Sequence, residues 1–272
     1  AGKGRKMKRV EIDNANRIDT DNESFIFLNL AIEYESGLPE HYLLPVSFTS
    51  GLGSERLQEI YPDAIICDMN CGTEDGNLYD GYYSASLQRY LLKMMLQNER
   101  LELKDVVVNF ESVGNDLPSI DDLDKIRSRV HPGEHSNTSI VYEHYFFLKI
   151  YRKLDVQVNP DLEINRFLHE KAKFDYIPNY HGAISWSSNG APVILGMLQE
   201  QVHNQGELTH FMSDQLRKYY ERILSKDLES DQSAESILDT PRFEDLTEEE
   251  RVMLELHSAD RAELLGERTA QL

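Results

Sequence analysis

Two-residue alternation of apolar and polar positions dominates the opening of the chain. Val10 to Asp13, Ser24 to Glu35 and Tyr42 to Thr49 alternate or run apolar as strands do, and Ser36-Gly37-Leu38-Pro39 punctuates a long hairpin between the last two. Ser54 to Ile60 has the spacing of a short helix that Pro62 closes, and Ala64 to Met69 returns to a strand pattern. Asn70 to Gly76 is polar and glycine-containing, which predicts a turn or loop. From Tyr79 to Gln97 the period changes: Tyr83, Leu87, Tyr90, Leu91 and Met94 recur at three- and four-residue steps, the spacing of a long helix. Val106 to Phe110 predicts one more strand, followed by an acidic, proline-containing junction from Asn115 to Asp124.

The densest pattern lies between Glu134 and Leu168. Thr138 to Tyr142 and Tyr145 to Arg152 are β-branched and aromatic runs separated by Glu143 and His144, the length of a two-residue hairpin connection. Alternation places Phe147, Lys149 and Tyr151 on one face and Phe146, Leu148 and Ile150 on the other. A helix start follows, with Asn159 as N-cap, Pro160 at the first helical position and Asp161 complementing the positive end of the macrodipole. Leu162, Phe167 and Leu168 form its apolar stripe, with Glu163 at the border. Gly182 to Ser187 and Pro192 to Leu198 predict further strands. From Glu207 to Leu272 there are 17 acidic and 8 basic residues; Tyr219 to Leu224 and Glu248 onward read as helical, and Ser225 to Thr240 is too polar to build a core.

These elements predict an α+β fold of antiparallel sheets with packed helices. With 272 residues, 40% of them hydrophobic, the chain has room for one large or two small domains with real cores. A formal net charge of −20 excludes a general affinity for nucleic acid or anionic membranes, the exception being Lys3, Arg5, Lys6, Lys8 and Arg9. No apolar run approaches the ~20 residues that span a bilayer and no signal-peptide pattern precedes the first strand, so the expected location is the cytoplasm. Cys67 and Cys71, spaced CxxxC without a nearby histidine, are expected to be buried reduced thiols rather than a disulfide or a zinc site. Beginning Ala1-Gly2-Lys3 and ending at Leu272 inside a helical pattern, the chain reads as excised at both ends.

Three features carry candidate chemistry. Hydroxyls and backbone N–H groups of Ser136, Asn137, Thr138 and Ser139 could cradle phosphate oxygens, Lys149 could neutralise them, and Glu163 could reach Lys149 if its helix packs across the sheet. Taken singly, each has an ordinary alternative: a turn, a solvated strand lysine, and a surface Glu163–Arg166 pair at helical spacing.

Their order resembles the N-lobe of bacterial maltokinases, including the form fused behind trehalose synthase. That family's pattern runs approximately E-Q-S-N-T-S-V-V-F, L-K-L-F-R-R-L and N-P-D-x-E-x-x-R-F-L. Glu134, Ser136 to Ser139, Leu148-Lys149, Arg152 to Leu154, Asn159 to Glu163 and Arg166 to Leu168 stand at matching places. The chain departs at His135, where glutamine is usual, and at Glu143-His144, where Gly-Asp is preferred. GKGRKMKRVEI, YLLPVSF and NLYDGYY resemble the family's cap subdomain, and LGERTAQL resembles a helix at the start of its C-lobe. Leu198-Gln199-Glu200-Gln201-Val202 resembles the L-Q-E-F-V stretch beside the adenine, with a generic sheet end as the alternative; the N-x-G-D-x-W that should follow is here Asn204-Gln205-Gly206-Glu207 without the tryptophan.

The resemblance implies an antiparallel-sheet cap subdomain (1–115), a protein-kinase-like N-lobe (116–206), and an acidic linker with the truncated helical start of a C-lobe (207–272). It implies ATP and Mg²⁺ as cofactors and maltose, or a related disaccharide, as the acceptor phosphorylated at its anomeric hydroxyl. Lys149 would hold the α- and β-phosphates, Glu163 would orient it, residues 136–139 would cover the phosphates, and the backbone of Gln199, Glu200 and Val202 would take the adenine. The family's H-G-D-x-H-x-x-Q and D-F-E motifs, which supply the catalytic and metal-binding aspartates, do not occur in the sequence. No catalytic or metal residue is therefore assigned, and the fragment alone is expected to be inactive. The alternative is a noncatalytic accessory or docking module of an amylase-type trehalose synthase that interconverts maltose and trehalose. Self-association through the C-terminal helix is a further expectation, because its stripe of Leu254, Ala262, Leu265 and Leu272 has no evident partner in the chain.

Overall fold

The β-branched runs of the amino end pair into an antiparallel sheet of β1 (Met7–Asp19), β2 (Ser24–Tyr34), β3 (Glu40–Ser50), β4 (Ile65–Cys71) and β5 (Glu74–Asp80), in the order β1-β2-β3-β5-β4. The computed structural model describes residues 4–104, 106–114, 123, 125–132, 137–187, 192–204, 206–225, 245–248, 251–252 and 256–272. β1 extends well beyond the four residues that alternation picks out. Lys6 pairs with Glu35 at 2.7 Å and Lys8 with Glu33 at 3.7 Å, so cross-strand charges continue the ladder past the apolar stretch. The polar stretch 70–76 is likewise mostly strand, because it forms the tight end of the β4–β5 hairpin. Helix α1 (Leu52–Ile60) is pinned to this hairpin by Asn77, which is 1% exposed, accepts from Gln58 Nε2 at 3.0 Å and donates to Asp68 Oδ1 at 2.7 Å. Cys67 and Cys71 are exposed, contrary to expectation, since β4 is the sheet's edge strand.

The helix expected over Tyr79 to Gln97 is shorter. Tyr79 belongs to β5, a 3-10 turn covers Gly81–Tyr83, and α2 begins at Ala85 (Ala85–Leu96) with the Ser84 side chain accepting from Ser86 N–H at 3.1 Å. The interruption has a local cause. Asp80 Oδ1 accepts from Tyr82 N–H at 3.1 Å, and a Cβ on Gly81 would come within 2.8 Å of the Phe25 ring.

A second antiparallel sheet contains β6 (Arg100–Glu102), β7 (Val107–Ser112), β8 (Ser128–Val130), β9 (Thr138–Tyr142), β10 (Phe146–Ile150), β12 (Tyr180–Ser187) and β13 (Val193–Glu200), in the order β6-β7-β12-β13-β10-β9-β8. Thus β6 and β7, from before residue 115, are bonded into the sheet that carries the central hairpin. β7 and β12 approach so closely that a Cβ on Gly182, at φ +150°, would lie 2.0 Å from the Glu111 carbonyl oxygen. β11 (Lys153–Leu154) leaves the second sheet and pairs with Tyr42 and His41 of β3, joining the two sheets. The hairpin connection is three residues rather than two: Tyr142 pairs with Phe146, Tyr145 N–H donates to Tyr142 O at 3.0 Å, and Glu143 adopts φ 48°.

Leu87, Leu91, Leu92 and Met95 of α2 bury against one face of this sheet, where Ile140, Tyr142, Leu148 and Leu198 project, together with Phe25 and Leu43 of the first sheet. Each such side chain contributes about 1.5–3 kcal/mol of transfer free energy. Tyr142 OH donates to Gln88 O at 2.7 Å, and burial raises the pKa of this phenol far above its usual value.

Residues 1–202 form one compact unit and 203–272 a second. The second contains α4 (Leu208–Ser225) and α5 (Leu256–Gln271). Of the expected junction at 115–124 only Leu123 is described, and of the polar segment 225–240 only Ser225; the remaining positions lie outside the described residues.

Candidate functional site

Strand alternation sets the site. Phe147 and Lys149 are half-buried while Phe146, Leu148 and Ile150 are buried, so Lys149 projects from the face opposite α2. Its neighbours across the ladder are Ser139 on β9 and Met197 on β13. Over this face lies α3 (Pro160–Phe167), started by Asn159 Oδ1, which accepts from Leu162 N–H at 3.1 Å. Tyr151, Tyr180, Ala183 and Met197 pack together here, with Leu162 of α3 against them.

The helix carboxylate that meets the lysine is Asp161. Lys149 Nζ lies 2.8 Å from Asp161 Oδ2, and Tyr151 OH donates to the same oxygen at 2.9 Å. Lys149 is 21% exposed, and lysines are seldom buried to that degree without a partner. Glu163, expected in this role, does not fill it: two residues apart on a helix do not face the same way. Its side chain is exposed and lines an open groove of about 680 Å³ with Val156, Val158 and Phe167. Arg166 pairs with Glu170 at 3.0 Å.

The expected phosphate loop divides. Ser136 lies outside the described residues, and Asn137 is a half-buried bend residue at the start of β9. Thr138 points to the α2 side, is 5% exposed, and its Oγ1 accepts from Arg152 Nε at 2.6 Å. That hydroxyl is engaged inside the core, which corrects its assignment to the loop. Ser139, 1% exposed, stands directly opposite Lys149.

At the end of β13, Gln199 opposes Phe147 and Tyr180. Glu200 Oε2 accepts from Asn179 Nδ2 at 2.8 Å, Glu200 N–H donates to Asn179 O at 2.9 Å, and Gln201 N–H donates to Tyr145 O at 3.1 Å. Val202 is 46% exposed and ends the first unit.

The electrostatics of the face follow from burial. Burial pushes the Tyr180 phenol up to about 12, with Glu111 adding to the effect, and its hydroxyl has no hydrogen-bond partner among the described residues. On the opposite face of the sheet burial lowers the pKa of His181, whose ring stacks edge-on against Phe146 at 5.3 Å. Among the described residues no three or more His, Cys, Asp or Glu side chains converge as a metal site. No helix among them is long and apolar enough to cross a membrane.

The sequence pattern puts Lys149 on the strand and face where it is found, and misses Asp161 as its partner and Tyr151 as the donor that shares the Asp161 carboxylate.

No family model matches the sequence. Among solved structures the fold is similar to glucosamine kinase in complex with glucosamine, ADP and inorganic phosphate (11% identity, TM-score 0.41, covering 79% of this chain and 41% of that one). It is similar also to glucosamine kinase in crystal form A (10%, TM-score 0.41, 80% and 40%) and crystal form B (12%, TM-score 0.42, 83% and 42%). The chain therefore spans about two fifths of the length of those structures.

Proposed function

We propose that this chain is the nucleotide-gripping part of an ATP-dependent sugar kinase of the maltokinase kind. In this reading residues 1–115 are the cap subdomain, with its β6 and β7 bonded into the sheet of the N-lobe, 116–206 are the N-lobe, and 207–272 the linker and first helices of a C-lobe. The observation that carries it is the half-buried Lys149, aimed from a central strand and held by Asp161 on the following helix. A fixed ammonium beside the buried Ser139 suits an anionic ligand such as the α- and β-phosphates of ATP. Maltose as the acceptor rests on the sequence motifs. Mg²⁺ would neutralise the phosphates when bound, and its ligands belong to the motifs absent from this sequence. Within the chain, Lys149 binds phosphate oxygens, Asp161 and Tyr151 fix the ammonium, and Gln199 lies on the same face toward the adenine end.

One observation supports a second reading, the noncatalytic module of a trehalose synthase. The N–H groups of Glu200 and Gln201 are already committed to Asn179 and Tyr145, which removes two donors from the adenine stretch.

Titrating the purified chain with ATP and with ADP by isothermal calorimetry separates the two. The kinase reading expects saturable binding that Lys149→Met weakens at least tenfold while the thermal midpoint stays within a few degrees. Absence of binding, or equal binding by the variant, favours the noncatalytic module.

A further inference from the structure

On the far side of the second sheet from Lys149, α1, the 3-10 turn and the start of α2 enclose a groove of about 440 Å³. Its position follows from register. Ser128 of β8 lines the groove and pairs with Tyr142, whose side chain belongs to the α2 face of the sheet.

Aromatic rings and polar groups alternate around it. Tyr61 and Tyr83, both half-buried, meet edge to face with centroids 5.2 Å apart, and Tyr79 closes the inner end at 4% exposure. Glu23 accepts from the Ser84 hydroxyl beside them. Arg56, exposed on α1 at the rim, makes no ion pair among the described residues, in a chain with a net charge of −20. The decisive group is Gln88. It is 2% exposed and its Nε2 donates to Tyr82 O at 2.7 Å, but its Oε1 is buried without a partner. An unsatisfied buried acceptor costs about 1–3 kcal/mol and calls for a donor.

We infer that this groove is a binding site for a neutral hexopyranose unit. A pyranose has C–H patches that lie against aromatic rings and hydroxyls that both donate and accept, which is the chemistry these walls offer. An anion would face the Glu23 carboxylate. A wholly apolar ligand would desolvate Arg56 and leave Gln88 Oε1 orphaned. The volume suffices for a small ligand of this size. Because the groove and Lys149 lie on opposite faces of the sheet, a sugar held here is out of reach of phosphate at Lys149. The site anchors a glycan rather than presenting it for reaction, and the inference stands whether or not the chain binds nucleotide.

Saturation-transfer NMR and calorimetry with methyl α-glucopyranoside and maltose test this on the full chain. Saturable binding at millimolar concentration is expected, weakened about five- to tenfold by Tyr61→Ala. Arg56→Ala, an exposed change that leaves the fold in place, should weaken it severalfold, and Lys149→Met should leave it unchanged. Failure to saturate at about 100 mM maltose overturns the inference, as does binding that neither groove variant alters.

Discussion

Arg152 Nη2 lies 2.5 Å from Asp80 Oδ2, and this ion pair joins the end of the central hairpin to the last strand of the first sheet. The same guanidinium donates to Thr138 Oγ1 and stands 5.2 Å over the Tyr82 ring, while the Arg152 carbonyl accepts from Leu43 N–H at 2.8 Å. Burial raises the pKa of Asp80 even though Arg152 opposes it, so the carboxylate is strongly desolvated. Removing one partner of such a pair leaves the other charge uncompensated. Asp80→Ala is expected to cost about 3–5 kcal/mol in urea unfolding. The double variant Asp80→Leu/Arg152→Met should cost clearly less than the sum of the single changes. Additive losses would mean that the two side chains act independently.

The Lys149–Asp161 pair makes a different demand on mutagenesis. Asp161→Asn keeps the size of the side chain and an acceptor oxygen for Tyr151 but takes away the negative charge that fixes the ammonium. Nucleotide affinity should fall about tenfold, equivalent to ~1.4 kcal/mol. Glu163→Gln, on the solvent side of α3, should change affinity less than twofold. A reversed ranking in the calorimetric titration would restore Glu163 to the role that the sequence motif suggests.

What could be read from sequence follows from how local each determinant is. The β9–β10 hairpin, the alternation of Lys149 against Leu148, and the Asn159 cap of α3 depend on neighbours a few residues apart; the alternation and the cap are found where the pattern puts them, and the hairpin forms with a connection one residue longer. The partner of Lys149 depends on the rotation of α3 about its own axis, and packing of Leu162 against Tyr151 and Met197 sets that rotation. A two-residue change from 163 to 161 is invisible to spacing arguments. Thr138 shows the same limit: it looks like a loop hydroxyl until Arg152, fourteen positions later, draws it into the core. The outward thiols of β4 reflect sheet order, which the periodicity of a single strand does not encode. Polar strands such as Met7 to Arg9 and Asp75 to Gly76 escape notice because pairing across a hairpin, rather than apolar content, holds them.

A carboxylate in the first sheet sets an acid limit on stability. Burial of Glu40 acts to raise its pKa, but hydrogen bonds from Tyr42, Lys153, Tyr34 and Arg5 outweigh it and leave the group at about 2. A folded pKa below the unfolded one means that the stabilisation is fully present above the ordinary carboxylate value and is lost as the pH falls through the folded pKa. The thermal midpoint should therefore decline between about pH 4.5 and pH 2, and Glu40→Gln should flatten that part of the curve while lowering the midpoint at neutral pH. A wild-type curve with the same slope as the variant over this interval would show that the four donors do not act on Glu40 in solution.

The C-terminal unit supplies the last prediction. Its α5 leaves Leu264 and Leu265 at 40% and 51% exposure, Leu272 just past its end is 69% exposed, and α4 leaves Leu216, Tyr220 and Leu224 at 54%, 54% and 83%; Leu254 of the expected stripe lies outside the described residues. Amphipathic helices derive most of their stability from packing the apolar stripe, and a helix of this length without a partner is marginal in water. Association between copies would cover these residues, so we expect the full chain to sediment as a concentration-dependent oligomer at micromolar concentration. A version ending at Lys226 keeps α4 but lacks α5 and should sediment as a monomer or dissociate at least tenfold more readily. Identical sedimentation of the two forms, whether monomeric or oligomeric, would show that α5 does not hold copies together and that its exposed leucines serve another contact.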